Sequence, residues 1–167
     1  RFAAYRGAYH GLSLGALTVS GIESFRRPFA GALGQDAVLL EYPSAGQPVA
    51  AAVDAARRAL QPHRDVAALI VEPIQGRAGC VVPTDGYLRG LRAVCDELSI
   101  LMIVDEIFTG FGRTGTWFAV ERDGVVPDLI CIGKAMGAGF PISAAAGKPA
   151  VMDAWPESAG EALHTST

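Results

Sequence analysis

Two apolar runs end directly on charged residues, and the rest of the chain is organised around them. Residues 101–104 read L-M-I-V and lead into Asp105 and Glu106, while residues 129–132 read L-I-C-I and lead through Gly133 into Lys134. Short continuous apolar runs are typical of strands buried on both faces of a parallel sheet. Carboxylates and ammonium groups are rarely buried without a partner. We therefore predict that Asp105 and Lys134 lie at the same edge of a sheet and face a common ligand.

The same pattern of apolar and polar positions predicts the neighbouring elements. Short apolar runs predict strands at 1–5, 37–42, 66–71 and 142–146. Helical periodicity predicts helices at 49–60 and 86–98, and a short helix is expected before 129. Residues 20–35 are predicted to form a loop. Thr84 or Asp85 is the expected cap of the helix at 86–98. Strands alternating with helices favour a mostly parallel sheet covered on both faces, which is a three-layer α/β/α fold.

Composition and charge narrow the class of protein. The 167 residues are half apolar, enough for the core of one domain. A net charge of −3 gives no basic surface for nucleic acid. No apolar run approaches the length of a membrane span, and the N-terminus lacks the pattern of a signal peptide, so we expect a soluble protein with no membrane partner. Three widely spaced cysteines, Cys80, Cys95 and Cys131, argue against disulfides and metal ligation and favour buried, reduced thiols in the cytoplasm.

A particular ligand would satisfy both an acid and a lysine at one sheet edge. Pyridoxal phosphate carries an aldehyde that forms a Schiff base with lysine and a ring nitrogen whose proton a carboxylate can hold. Asp105 and Lys134 fit these roles, and the 29 residues between them (134 minus 105) leave room for a turn, a short helix and the next strand. Periodicity alone does not name the cofactor.

Several separated motifs carry a resemblance to a known family. They are Y-H-G at 9–11, E-P-I-Q-G at 72–76, V-D-E-I-F-T-G-F-G-R-T-G at 104–115, G-K at 133–134 and H-T-S-T at 164–167. In this order they resemble class III pyridoxal phosphate aminotransferases over nearly the whole chain. The resemblance implies the α/β large domain of the fold type I transferases, with residues 1–167 forming part of it. The upstream segment and the C-terminal small domain of the family are expected to be missing.

The resemblance also implies roles for individual residues. Lys134 would form the Schiff base and shuttle the proton, and Asp105 would hold the pyridinium nitrogen. Tyr9 and Ile107 would cover opposite faces of the cofactor ring. The remaining cofactor-binding residues implied are His10, Gly11, Glu72, Gln75 and Thr167. An isolated Y-H-G would more often be a surface aromatic with a satisfied histidine, and a solvent-facing amide is as good an interpretation of Gln75.

The activity implied is a ping-pong amino transfer from a primary amine or omega-amino acid to a keto acid, pyruvate or 2-oxoglutarate. Because Thr167 matches a threonine that binds the cofactor phosphate of the neighbouring subunit, a homodimer with shared sites is expected. Three alternatives stay open: another pyridoxal phosphate reaction such as that of an aminomutase or decarboxylase, a nucleotide-binding module, and an inactive fragment. The absence of G-x-G-x-x-G after an early strand disfavours the second.

Three positions depart from the family pattern. Phe108 stands where a glutamine often reaches the cofactor's phenolic oxygen. Leu12 replaces an arginine of the ornithine and 4-aminobutyrate enzymes, and Arg77 replaces their glutamate. We therefore expect poor activity on ornithine and 4-aminobutyrate, better activity on a less acidic amine, and a role for Arg77 with acid-bearing substrates.

Overall fold

Residues 1–34 and 37–154, which the computed structural model describes, form a six-stranded sheet with helices packed on it. The strands lie in the order β2-β1-β3-β4-β5-β6, and all neighbours are parallel except β6, which runs antiparallel to β5. Their bounds are β1 Phe2–Tyr5, β2 Val38–Leu40, β3 Ala68–Val71, β4 Leu101–Asp105, β5 Leu129–Ile132 and β6 Ala144–Gly147. The predicted mostly parallel sheet is confirmed.

The described residues also contain five α-helices and three short 3-10 segments. The α-helices are α1 Leu14–Val19, α2 Glu23–Arg26, α3 Val49–Leu60, α4 Tyr87–Leu98 and α5 Pro149–Met152, and the 3-10 segments are Arg27–Phe29, Ala119–Asp123 and Lys134–Gly137. The periodicity over 49–60 predicted α3 correctly. The loop predicted for 20–35 was wrong, because it contains α2 and a 3-10 turn that are too short to display a helical period. The predicted side-chain cap of α4 is absent: Gly86, at φ 78°, occupies that position.

Alternate strand residues face two different cores. Helices α3 and α4 cover one face, where the buried strand residues are Ala3, Tyr5, Leu40, Leu69, Val71, Met102 and Val104. The intervening residues Ala4 and Ile70 face the other side, where Val19 of α1 packs against them. Helices on both faces of the sheet give the expected three layers. None of the helices in the described part of the chain is long and apolar enough to cross a bilayer.

The last strand differs from its prediction. An apolar strand was expected at 142–146, but β6 begins two residues later, and its antiparallel register pairs Gly147 with Leu129 at the start of β5. Ile142 is half exposed in the segment before β6. Because β6 runs backwards, Lys148 lies at the edge where β5 begins, opposite the edge that carries Lys134.

A buried carboxylate ties these elements together at that opposite edge. Asp128 accepts hydrogen bonds from Arg92 of α4 at 2.6 Å, from the Met102 amide of β4 at 2.7 Å and from Lys148 at 2.8 Å. Burial alone would raise the pKa of Asp128, but these donors outweigh it and lower the pKa to about 2. Asp128 is thus an ionised cross-link between α4, β4 and Lys148, the residue that follows β6.

Candidate active site

Four parallel strands deliver polar residues to one edge of the sheet. A cavity of about 530 Å³ lies beyond the carboxyl ends of β1, β3, β4 and β5, which is where open parallel sheets bind ligands. It is lined by Tyr9, His10, Gly11, Glu72, Gly76, Arg77, Cys80, Asp105, Ile107, Phe108 and Lys134. Asp105 and Lys134, for which the sequence predicted a common edge of the sheet, both line this cavity.

Asp105 is the last residue of β4 and is held in a fixed orientation. Its Oδ2 atom lies 2.8 Å from Nδ1 of His10, and its Oδ1 atom accepts the Ile107 amide at 3.0 Å. The carboxylate is only 6% exposed. The backbone of His10 is held by Ser20, whose buried Oγ accepts the His10 amide at 3.1 Å. A carboxylate held this way in the wall of a cavity can accept a hydrogen bond from the protonated ring nitrogen of a bound heterocycle.

Lys134 lies at the exposed rim of the same cavity, directly after Gly133. Its backbone adopts the left-handed conformation with φ 46°, which is uncommon for a residue with a side chain. Backbone strain of this kind clusters at functional sites, where the surrounding structure enforces it. The Nζ atom lies 6.0 Å from the centroid of the Phe108 ring. The lysine therefore has a defined location beside the cavity.

Glu72 joins the first turn, the segment after β1 that carries Tyr9 and His10, to the loop after β3. Its Oε1 atom accepts the Tyr9 amide at 2.9 Å, and its Oε2 atom accepts the Gly76 amide at 3.0 Å. Burial raises the pKa of the Glu72 carboxyl, and the two amide hydrogen bonds, which favour the carboxylate, offset part of that effect. The Tyr42 hydroxyl also fixes the backbone of Glu72, because it donates to the Glu72 carbonyl at 2.9 Å. Glu72 thereby holds Tyr9 beside the cavity.

Ile107 lines the cavity, but it lies outside strand β4, which ends at Asp105. Its location follows from the turn that Glu106 closes: Glu106 is fully buried and binds the Thr109 hydroxyl and the Val120 amide. Glu106 therefore points away from the cavity.

One of the predicted site residues does not line the cavity, and another cannot be placed. Gln75 is 2% exposed, donates from its amide to the Arg6 carbonyl at 2.9 Å and does not line the cavity. Gln75 stabilises the loop between β3 and α4, because its backbone also pairs with that of Val81. Thr167 lies outside the described residues. Leu12 is exposed and is absent from the cavity wall.

Sequence reasoning missed several residues at this site. Ser20 is the buried support of His10, and no sequence pattern marks it because a serine between two short helices resembles any loop serine. Cys80 was expected to be buried but is exposed at the cavity, with its backbone at φ 56°. The three cysteines are free.

The arrangement fits pyridoxal phosphate on its own geometry. The cavity combines a buried, oriented carboxylate with a rim lysine, and its wall also contains an aromatic ring and a branched aliphatic side chain, Tyr9 and Ile107. Comparison with solved structures agrees. An (S)-enantioselective omega-transaminase from Thermomicrobium roseum matches 92% of this chain and 37% of its own length with a TM-score of 0.84 and 33% identity. An ornithine aminotransferase from Toxoplasma gondii matches 95% and 35% with a TM-score of 0.83 and 35% identity.

These structures define the class: the chain has part of the α/β fold of the fold type I pyridoxal phosphate transferases. The family model described as aminotransferase class-III matches residues 1–167. The chain belongs to the class III aminotransferase family, whose cofactor is pyridoxal phosphate.

Curated relatives agree with the family assignment. An acetylornithine aminotransferase from Methanosarcina mazei is 40% identical over 99% of this chain and 38% of its own length. A putrescine aminotransferase from Pectobacterium atrosepticum is 43% identical over 99% of this chain and 34% of its own length. The chain thus spans little more than a third of the relatives it matches.

Proposed function

We propose that the protein carrying this chain is an aminotransferase that moves an amino group from a primary amine or omega-amino acid to a keto acid, pyruvate or 2-oxoglutarate, in a ping-pong reaction. The observation that supports it is the joint placement of Asp105 and Lys134 in the wall of one cavity. When bound, pyridoxal phosphate would supply a carbonyl that accepts the amino group and a ring that withdraws electrons.

The residues of the chain divide the remaining work. Lys134 would hold the cofactor covalently and move a proton at its Nζ atom. Asp105, oriented by His10, would keep the ring nitrogen protonated. Tyr9 and Ile107 would cover the ring from two sides and exclude water, and Gly11 and Glu72 would fix the turn that presents Tyr9. No direct cofactor contact is proposed for Gln75.

The proposal extends to assembly and location. We propose a homodimer in which Thr167 binds the cofactor phosphate of the neighbouring subunit, and a cytoplasmic enzyme, in line with three free cysteines. Family membership supports the dimer proposal, and subunit mixing tests it. Mixing an inactive Lys134→Ala protein with an inactive Thr167 variant should restore activity to mixed dimers if the sites are shared.

Covalent labelling provides the primary test. Lys134 and Lys148 are the two lysines of the chain. Borohydride reduction of the protein with pyridoxal phosphate, followed by peptide mapping, should label Lys134, and the label should be lost in Lys134→Ala. Lys148→Arg is the matched control because Lys148 is bound to Asp128 at the opposite edge. A label on Lys148 would contradict the role of Lys134. A protein that decarboxylates its substrate or migrates the amino group, and transfers no amino group to a keto acid, would contradict the proposed function.

A further inference from the structure

Arg77 lines the cavity, and the proposed amino transfer assigns it no role. Its guanidinium carbon lies 5.0 Å from the centroid of the Tyr9 ring and 5.4 Å from that of Phe25. The two rings meet edge to face at 5.8 Å. Arg77 is exposed, but an exposed arginine held by two aromatic rings is not free in solvent, since cation–π contact favours this placement.

The loop that carries Arg77 is held against the first turn. The Gln75 and Val81 backbones exchange two hydrogen bonds of 3.0 Å, closing the loop between them. The residue before Arg77 is Gly76, whose amide binds the same Glu72 carboxylate that binds the Tyr9 amide. The cation and its aromatic support are therefore fixed relative to each other by one carboxylate.

The charges of the cavity leave Arg77 available for an anion. In the described part of the chain, no carboxylate or carbonyl accepts a hydrogen bond from its guanidinium, which retains its planar set of donors. The two cavity carboxylates are committed elsewhere, Glu72 to two amides and Asp105 to His10 and Ile107. The second cavity cation, Lys134, is the proposed covalent residue.

We propose that Arg77 is the residue that binds the carboxylate of the keto-acid substrate, with its guanidinium orientation set by Tyr9 and Phe25. This inference rests on the proposed amino transfer. A planar guanidinium accepts a carboxylate in a two-pronged contact, and a guanidinium already ordered on aromatic rings loses less freedom on binding. A neutral carbonyl substrate of similar length has no group for this contact, so Arg77 discriminates acids from aldehydes.

Kinetics with paired acceptors test the proposal on the full-length protein. Arg77→Ala should raise KM for pyruvate roughly 10- to 100-fold, the range expected for charge-assisted hydrogen bonds, while KM for propanal, which lacks the carboxylate, stays within about twofold. Arg77→Lys should fall between wild type and alanine because it keeps the charge and loses the fork. Arg58→Ala is the matched control, since Arg58 is exposed on α3 and does not line the cavity.

Binding without turnover provides an independent measurement. Titration calorimetry with glutarate, an unreactive dicarboxylate, should give a dissociation constant that rises roughly tenfold or more in Arg77→Ala and less in Phe25→Leu, which removes one supporting ring. Unchanged glutarate binding in Arg77→Ala, or an equal KM increase for pyruvate and propanal, would overturn the inference. If wild type transfers no amino group, the proposed function fails, and the glutarate titration still decides whether Arg77 binds carboxylates.

Discussion

Nδ1 of His10 and Oδ2 of Asp105 lie 2.8 Å apart, and both side chains are almost completely buried. The two residues are 95 positions apart in sequence, and strands β1 and β4 bring them to the same sheet edge with β3 between them. The carboxylate that would face the cofactor nitrogen is therefore positioned by the first turn of the chain. The Nε2 atom of His10 is buried and has no partner among the described residues.

His10→Ala should weaken both folding and turnover, because it leaves one oxygen of a buried carboxylate without its hydrogen bond. A loss of about 1–3 kcal/mol in the free energy of unfolding is expected, measured by urea denaturation. Turnover should fall by roughly tenfold or more, since Asp105 loses its orientation. His10→Asn, whose amide can replace Nδ1, should recover much of both losses. Equal defects in the two variants would show that the Asp105 contact is not what matters.

Asp105→Asn should separate cofactor binding from chemistry. The amide keeps the shape and the Ile107 hydrogen bond, so borohydride should still attach pyridoxal phosphate to Lys134. An amide cannot hold a pyridinium proton as a carboxylate does, so kcat should fall roughly 100-fold or more. Near-normal kcat would mean that Asp105 does not face the ring nitrogen. Asp96→Asn, at an exposed carboxylate of α4, is the control.

Sequence patterns revealed the strands and acids of this site but not their neighbours. Residues 101–105 and 129–132 could be predicted because an apolar run followed by a charge is a local signal. The order of the strands is not local, and neither are the His10 and Ser20 contacts with other segments. The inward location of Gln75 was equally invisible, since an amide in a turn has the same sequence signature whether it faces solvent or another backbone.

Glu72→Gln should loosen the turn that carries Tyr9. One carboxylate accepts two amide N–H groups, whereas a glutamine side chain has one oxygen and must turn its NH2 group towards the other donor. Hydrogen exchange at the Tyr9 and Gly76 amides should accelerate at one or both sites. Glu41→Gln provides the control, because Glu41 is exposed and pairs only with Arg6 among the described residues. Unchanged exchange at both amides would contradict the role assigned to Glu72.

Helices α3 and α4 touch at Gly90, so a methyl group there should destabilise the domain. A Cβ atom at Gly90 would lie 2.3 Å from Cγ2 of Val53 and 3.3 Å from its Cβ and Cγ1, so the valine must leave its position, and a helical valine strongly prefers one rotamer. Gly90→Ala should cost about 1–3 kcal/mol of unfolding free energy despite its better helix propensity. Gly15→Ala in α1 meets nothing within 4 Å and should stabilise by about 0.5–1 kcal/mol. Opposite signs in urea denaturation are the expected result.

Lowering the pH should remove the contribution that ionised Asp128 makes to the free energy of unfolding. The pKa of Asp128 is lowered from 3.8 to about 2 in the folded protein, so this contribution is complete above pH 4 to 5 and is lost as the pH falls towards 2. A lowering of this size corresponds to about 2 kcal/mol. Asp128→Asn should therefore be less stable than wild type by at least that amount at pH 7, and the difference should shrink between pH 5 and pH 2 as the wild-type carboxylate becomes protonated. Asp54→Asn is the control, because its exposed ion pair with Arg57 contributes little. Urea denaturation at each pH provides the measurement. A difference in unfolding free energy between wild type and Asp128→Asn that stays constant from pH 7 to pH 2 would show that Asp128 acts through packing. If the charge matters, protonation of the carboxylate weakens its ion pairs with Arg92 and Lys148, and the difference must change with pH.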